Sequence, residues 1–136
     1  MTPNPLTAIA QATAALLGLL DQHCPREHFP DAMFAAYQPD DFTSPMEEGV
    51  SLYLFQVNVS PGAAPGLVIS YLLTAWSPDP LRQQQILGWA LDVIEKNPVL
   101  NQHKVAIQPL TIADLAAVWS MARTGAQPSI AVQLRA

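Results

Sequence analysis

The fold is decided by residues 66–100, which read GLVISYLLTAWSPDPLRQQQILGWALDVIEKNPVL. Within this stretch Leu67–Trp76 alternates a wholly apolar set of side chains with a second set that is mostly apolar. Such a pattern predicts a strand that is covered on both faces of a sheet. Asp79 is suited to cap a helix whose first residue is Pro80. The stretch therefore predicts a central strand, a proline turn and a helix.

The predicted helix has a wider apolar surface than one contact with a sheet requires. At about 100° per residue its apolar side chains, Trp89 and Val93 among them, cover an arc of about 200°. Asn97 ends the helix because a residue that precedes proline is disfavoured in the helical conformation. The surplus apolar width predicts a second packing partner, which is either another helix or another subunit.

The overall composition points to an oligomer. Half of the 136 residues are apolar and only 12% are charged, about half the usual charged share. We expect one domain, residues 1–136, with too few charges to cover the surface of a monomer. The net charge is -5 and the basic residues are scattered, so nucleic acid is disfavoured as a partner.

The N-terminal residues and the cysteine content indicate a cytoplasmic protein without membrane insertion. The apolar run at residues 14–20 is too short to span a bilayer, and no Lys or Arg precedes it as in a signal peptide. Cys24 is the single cysteine, which excludes an internal disulfide and fits a reducing compartment.

The remaining patterns predict an α+β fold in one domain. Helices are expected at residues 5 to about 20 and, behind a capping box of Thr111 and Asp114, from there to Gly125. Strands are expected at residues 50–59, 104–108 and 129–135, with a possible short strand at 32–37. The strand at 50–59 should pair antiparallel with the central strand. The result is a mixed sheet of four to five strands flanked by about three helices.

Motifs for catalysis and cofactor binding are missing from the sequence. It contains no Gly-x-Ser-x-Gly nucleophile and no glycine-rich phosphate loop. His23, Cys24 and His28 have no matching pair at ligand spacing, only the lone His103. We therefore predict no metal, no cofactor, no catalytic residue and no enzymatic activity.

Two groups of residues allow more than one interpretation. The acidic residues of the segment from Asp31 to Glu48 are solvated charges, a patch for a basic partner or, as Asp40–Asp41 and Glu47–Glu48, acid and base groups of an enzyme. The side chains of Trp76, Trp89 and Trp119 either pack in the core or at a subunit contact, or line a cleft of a module that binds a small molecule or peptide without catalysis.

Five stretches together resemble the tail-terminator or cap proteins of extracellular contractile injection systems, which are phage-tail-like particles. In chain order they are LTAIAQATAALLGLL, GVSLYLFQV, LVISYLLTAW, QQILGWALDVIEKNPVL and PLTIADLAAVWSM. The resemblance extends from about Leu6 to Leu134, and its most specific part runs from Tyr71 to Leu100. It implies a structural protein without enzymatic activity that forms a hexameric ring.

The resemblance also implies the partners and the place of the protein. The ring would end and join the sheath and the inner tube, so the sheath protein and the inner tube protein are the expected partners. The cytoplasm is the expected location, within an assembled particle that can be released. The interface is predicted at Trp89, Val93, Ile130, Val132 and Leu134, with Ser129–Arg135 as an unpaired strand edge that accepts a strand from a sheath subunit. The alternative is that this last strand is paired inside its own sheet.

Overall fold

The computed structural model describes residues 5–59, 66–122 and 126–136. Within these ranges the chain forms three helices, six strands and one 3₁₀ turn, as the predicted α+β class requires. In chain order they are α1 (Pro5–His23), β1 (Met33–Tyr37), the 3₁₀ turn (Pro39–Thr43), β2 (Gly49–Val59), β3 (Leu67–Trp76), α2 (Pro80–Lys96), β4 (Val99–Leu100), β5 (His103–Gln108), α3 (Ile112–Ala122) and β6 (Ser129–Arg135). The sixth strand is β4, which at two residues is too short to show an alternating pattern.

The strands form one mixed sheet in the order β1-β2-β3-β6-β5-β4. β1 runs parallel to β2, and the other four neighbouring pairs are antiparallel. The predicted hairpin of β2 and β3 is therefore confirmed, although the connection at residues 60–65 lies outside the described residues. A bulge between Leu54 and Gln56 interrupts the register of β2 against β3 and increases the local twist of the strand.

The hypothesis that Ser129–Arg135 is an unpaired edge is wrong. β6 lies between β3 and β5 and is hydrogen-bonded to both. Val132 is opposite Tyr71 on one side and Ile107 on the other, and it is fully buried. The alternating pattern of a strand reports how its faces are covered, but it does not report the strand's position in the sheet. A proline at Val132 would therefore disrupt the centre of the sheet.

Helices cover the sheet on both faces. α1 and α2 lie on one face and share a core with β3, in which Leu16, Ile86 and Tyr71 are buried. α3 and the 3₁₀ turn lie on the other face, where Phe42 and Trp119 belong to a second buried cluster. The wide apolar arc of α2 is accommodated within the chain, because α2 packs on β3 and β5 and also contacts α1.

The predicted helix starts are confirmed by their hydrogen bonds. The Asp79 carboxylate accepts a hydrogen bond from the Leu81 amide at 3.0 Å at the start of α2. At the start of α3 the Asp114 amide donates to the Thr111 hydroxyl at 3.0 Å, and the Thr111 amide donates to the Asp114 carboxylate at 3.3 Å. The predicted end of this helix at Gly125 lies outside the described residues.

A glycine makes the parallel pairing of β1 with β2 possible. Gly49 has a φ of 143°, a conformation that side-chain-bearing residues rarely adopt. A Cβ atom at this position would collide with the backbone of Met33, which is its partner in β1. Next to it the Met33 amide donates to the Glu48 carbonyl at 3.0 Å. The start of β1 is therefore held in place by a position that tolerates only glycine.

Candidate interaction surface

Three of the five residues predicted to form an interface lie in the core of their own chain. Val93, Val132 and Leu134 are buried in the cluster between the sheet and the helices α1 and α2. Trp89 and Ile130 are only partly buried and pack at the margin of the same cluster. The Trp89 ring lies against Phe34 of β1, with 5.9 Å between the ring centroids. Trp89 and Ile130 are thus the two that retain exposed surface.

The other two tryptophans do not line a cleft. Trp76 is buried, and its indole Nε1 donates to the Ser51 hydroxyl at 2.8 Å. Trp119 is also buried, and its ring meets Phe42 edge to face with 5.3 Å between the centroids. Phe42 belongs to the 3₁₀ turn, so this aromatic cluster holds the acidic segment against the sheet. Trp76 and Trp119 therefore pack in the core and do not line a binding cleft, which was the other alternative that the sequence left open.

Two carboxylates of the acidic segment have structural partners. Asp41 accepts a hydrogen bond from the Gln38 amide at 2.8 Å and so caps the 3₁₀ turn. Glu48 forms an ion pair with Arg82 of α2, whose guanidinium also lies 4.9 Å from the centroid of the Phe29 ring. The hydrogen bond to Glu48 raises the pKa of Arg82 above its ordinary value. The Glu48 ion pair connects the segment to α2, and the Asp41 hydrogen bond stays within the segment, so the two carboxylates are not brought together as an acid–base pair.

The other carboxylates of the segment, Asp31, Asp40 and Glu47, are exposed. They stand near the start and the end of β1 and before β2. Between Arg26 and Arg82 the sequence contains no Lys or Arg. Arg26 also lies beside β1, 5.6 Å from the centroid of the Phe34 ring, but it is ion-paired with Asp21, so the surface carries an excess of negative charge.

Cys24 is the single cysteine, and its thiol is partly buried. Burial raises the pKa of the Cys24 thiol above its ordinary value, so this thiol is protonated and a poor nucleophile at neutral pH. Among the described residues no group of three or more His, Cys, Asp or Glu side chains could hold a metal ion. None of the described helices is both long enough and apolar enough to cross a bilayer.

An apolar groove of about 520 Å³ separates α1 from the sheet near β1. The hydroxyl of Tyr71 donates at 2.7 Å to Thr13, since the Thr13 hydroxyl itself donates to the Ile9 carbonyl. The hydroxyl of Tyr37 accepts a hydrogen bond from the Met46 amide. The hydroxyl groups of the groove are thus already paired within the chain, and what it offers a ligand is mainly the apolar surface of Ile9, Ala14, Leu17, Leu52 and Leu54.

The sheet has two open edges that the sequence analysis did not identify. On one side of the sheet β1 pairs with residues 49–53 of β2, and the outer side of residues 54–59 has no partner strand among the described residues. On the other side β4 pairs with the start of β5, where the Val105 amide also donates to the Pro98 carbonyl, and residues 106–108 are left open. We name these surfaces the β1/β2 edge and the β4/β5 edge.

Both edges expose large aliphatic side chains. Met33, Val57 and Val59 on the β1/β2 edge are 58%, 40% and 65% exposed, and Val99 on the β4/β5 edge is 64% exposed. Residues 54–59 read LFQVNV and lack the charges and prolines that usually protect an edge strand from pairing with another chain. The absence of such residues is the sequence signal that could have indicated this edge.

The chain matches the family model described as "Pvc16 N-terminal domain" over residues 11–136. No curated protein matches the chain. One similar solved structure is the sheath/tube terminator of an extracellular contractile injection system, PVC, in its extended state. It has a TM-score of 0.76 and 15% sequence identity, over 99% of this chain and 56% of that chain.

A second similar structure is the tube-terminating cap of the anti-feeding prophage. Its TM-score is 0.68 and its sequence identity 14%, over 93% of this chain and 53% of that chain. At these identities the likeness shows a shared fold. The chain spans just over half the length of either protein.

Proposed function

Because the chain belongs to the Pvc16 N-terminal domain family, we propose that it is a structural cap of a contractile injection system. The observation that carries the proposal is a fold shared over almost the whole chain with a sheath/tube terminator and a tube-terminating cap. The paired hydroxyls of the groove and the ion-paired Glu48 also favour a structural role over a catalytic one.

In this proposal several copies of the protein form a closed ring. Six copies of the domain formed by residues 1–136 make a ring that ends and joins the sheath and the inner tube. The low charge content and the unprotected residues 54–59 of the β1/β2 edge support an assembled state, because both are unfavourable on the surface of a monomer. The ring is built in the cytoplasm as part of a phage-tail-like particle.

The proposal is tested first on the purified protein. Electron microscopy of negatively stained protein should show rings with six-fold symmetry, and native mass spectrometry should give six times the subunit mass. A protein that remains a single subunit at high concentration contradicts the ring.

The second test removes the gene from a strain that assembles the particles. Without its cap a polymer continues to grow, so the deletion strain should contain tubes or sheaths of uncontrolled length. Supplying the gene in trans should restore a uniform length. Particles of normal length in the deletion strain contradict the cap function, whatever the oligomeric state of the purified protein.

A further inference from the structure

We propose that the β1/β2 edge of one copy binds the β4/β5 edge of the next copy, so that neighbouring subunits join head to tail. The inference rests on the proposed ring and specifies which two surfaces close it. A cyclic ring requires such a heterologous contact, in which two different faces of the same subunit meet. The two ends of one sheet are different faces of this kind.

The outlines of the two edges are complementary. On the β1/β2 edge β1 projects beside residues 49–53, and the recess lies at residues 54–59 of β2. On the β4/β5 edge the projection is β4, and the recess lies at residues 106–108 of β5. In a head-to-tail contact each projecting strand enters the recess of the other copy.

The strand directions allow hydrogen bonds in both recesses. β4 runs in the same direction as β1 and β2, and β5 runs in the opposite direction. For two copies in the same orientation, β4 of the second copy would lie parallel to residues 54–59 of the first. β1 of the first copy would lie antiparallel to residues 106–108 of the second. Both arrangements are regular ladders that satisfy open backbone groups.

The charges of the two edges are opposite in sign. The surface beside β1 carries the exposed Asp31, Asp40 and Glu47. On the other side of the sheet, Lys104 of β5 is directly opposite Arg135 of β6, and like charges in this position repel each other. Neither forms an ion pair with a described residue. The registers place these acids near the strand ends with Met33 and the basic pair near the opposite ends with Val59, so like charges do not meet in the head-to-tail contact.

A second copy is a better occupant of these edges than a single strand from another protein. One added strand would cover residues 54–59 and leave Val99 and the basic pair of the β4/β5 edge as they are. The head-to-tail contact covers both edges with one type of interface. It also brings the exposed aliphatic side chains of the two edges together.

The test uses one substitution on each edge, with matched controls. V57K places an ammonium group on the β1/β2 edge and V99E places a carboxylate on the β4/β5 edge, so that each new charge would lose its water among the aliphatic side chains of the contact. Ile112 is 87% exposed at the start of α3 and belongs to neither edge, so I112K and I112E introduce the same charges outside the edge strands. Circular dichroism and thermal unfolding check that all four variants fold.

Sedimentation and native mass spectrometry then measure assembly. We expect V57K and V99E each to weaken self-association at least ten-fold, while I112K and I112E form the wild-type assembly. An equimolar mixture of V57K and affinity-tagged V99E should form a complex, because V57K retains an intact β4/β5 edge and V99E retains an intact β1/β2 edge. Two isologous contacts would not produce this recovery.

Three results would overturn the inference. If V57K and V99E still form the wild-type ring, the edges are not the subunit interface, although the proposed cap function stands. If V57K forms the ring but no longer binds the sheath protein, the β1/β2 edge binds a sheath strand. If the wild-type protein is a monomer, both the ring and this inference fail.

Discussion

At the scale of single residues, the structure depends on backbone positions as much as on side chains. Gly49 permits β1 to lie against β2, and the buried Tyr71 joins the sheet to α1 through its hydrogen bond with Thr13. Neither role could be predicted from apolar periodicity. From the pattern alone, Gly49 is compatible with an ordinary strand boundary, and Tyr71 is compatible with an ordinary core residue.

Replacing Gly49 with alanine should destabilise the protein strongly. The new Cβ atom collides with the Met33 backbone, and the residue is held at a φ of 143°. Backbone strain alone costs about 1–3 kcal/mol, so we expect the free energy of unfolding in urea to fall by more than about 2 kcal/mol.

The control for this variant is G88A, because a Cβ atom at Gly88 in α2 would have no atom within 4 Å apart from its chain neighbours and the backbone of its own helix. Alanine there should stabilise the protein by about 0.5–1 kcal/mol. Equal effects of the two substitutions would contradict the close approach of β1 at Gly49.

Tyr71 should make the stability of the protein sensitive to alkaline pH. Burial raises the pKa of this phenol above its ordinary value, and the hydrogen bond with Thr13 lowers it by a smaller amount. A raised pKa in the folded state gives a stability contribution that is fully present below the unfolded-state pKa of about 10. The contribution is lost as the pH rises through the folded-state pKa.

The measurement is the free energy of unfolding between pH 8 and pH 11. The wild-type protein should lose stability across the upper part of this range, and Y71F should lose less. Y71F should also be about 1 kcal/mol less stable than the wild type at neutral pH, since it lacks one buried hydrogen bond. Parallel pH profiles of the two proteins would show that Tyr71 does not titrate on unfolding.

At the scale of secondary-structure elements, local sequence chemistry predicts where helices begin. Asp79 and Pro80 define the start of α2, and the reciprocal bonds of Thr111 and Asp114 define that of α3. These signals involve residues within a few positions of each other, so the sequence contains the whole interaction.

The cap of α2 can be tested by comparing D79A with D79N. Alanine removes the acceptor for the Leu81 amide, and we expect a loss of about 1 kcal/mol in the free energy of unfolding. Asparagine retains a side-chain oxygen in the same position and should remain close to the wild type. A D79N variant as unstable as D79A would indicate that the negative charge, rather than the hydrogen bond, is the important property.

Strand order could not be predicted in the same way. The alternation of Ile130, Val132 and Leu134 correctly indicates a strand with an inward face, but β6 is inserted between β3 and β5. Its position depends on pairings with residues that are distant in the chain. Val93, Val132 and Leu134 of the predicted interface lie in the core of the chain, and an apolar pattern alone does not distinguish a core position from a subunit contact.

At the scale of the whole molecule, charge is distributed unevenly across the sheet. The exposed acids lie near β1, and Lys104 and Arg135 lie on the other side of β3. Composition indicates that charges are few, but the sheet order determines that they are segregated. In the proposed head-to-tail contact the two groups of charges would lie at opposite ends of the strands and would not attract each other.

Self-association of the protein should depend little on the salt concentration. Salt screens exposed charges over about 10 Å at 0.1 M and about 3 Å at 1 M, but the acids and the basic pair lie at opposite ends of the strands and do not meet in the proposed contact. We expect similar dissociation constants at the two concentrations, for K104Q as well as for the wild type. A dissociation constant that rises several-fold with salt in the wild type but not in K104Q would mean that Lys104 meets the acids, which contradicts the proposed orientation of the copies.

The two ends of the strands adjoin charges of opposite sign, so the two rims of a ring would differ in charge. The end of the sheet with Met33, Gly49 and Trp76 adjoins the acids before β2, whereas the end with Val59 adjoins Lys104 and Arg135. Head-to-tail contacts repeat one subunit orientation around the circle, so no two-fold axis relates the upper and lower rims. A filament tip that binds one rim finds a chemically different surface on the other. In the proposed ring, such an asymmetric collar would accept a growing polymer from one direction only.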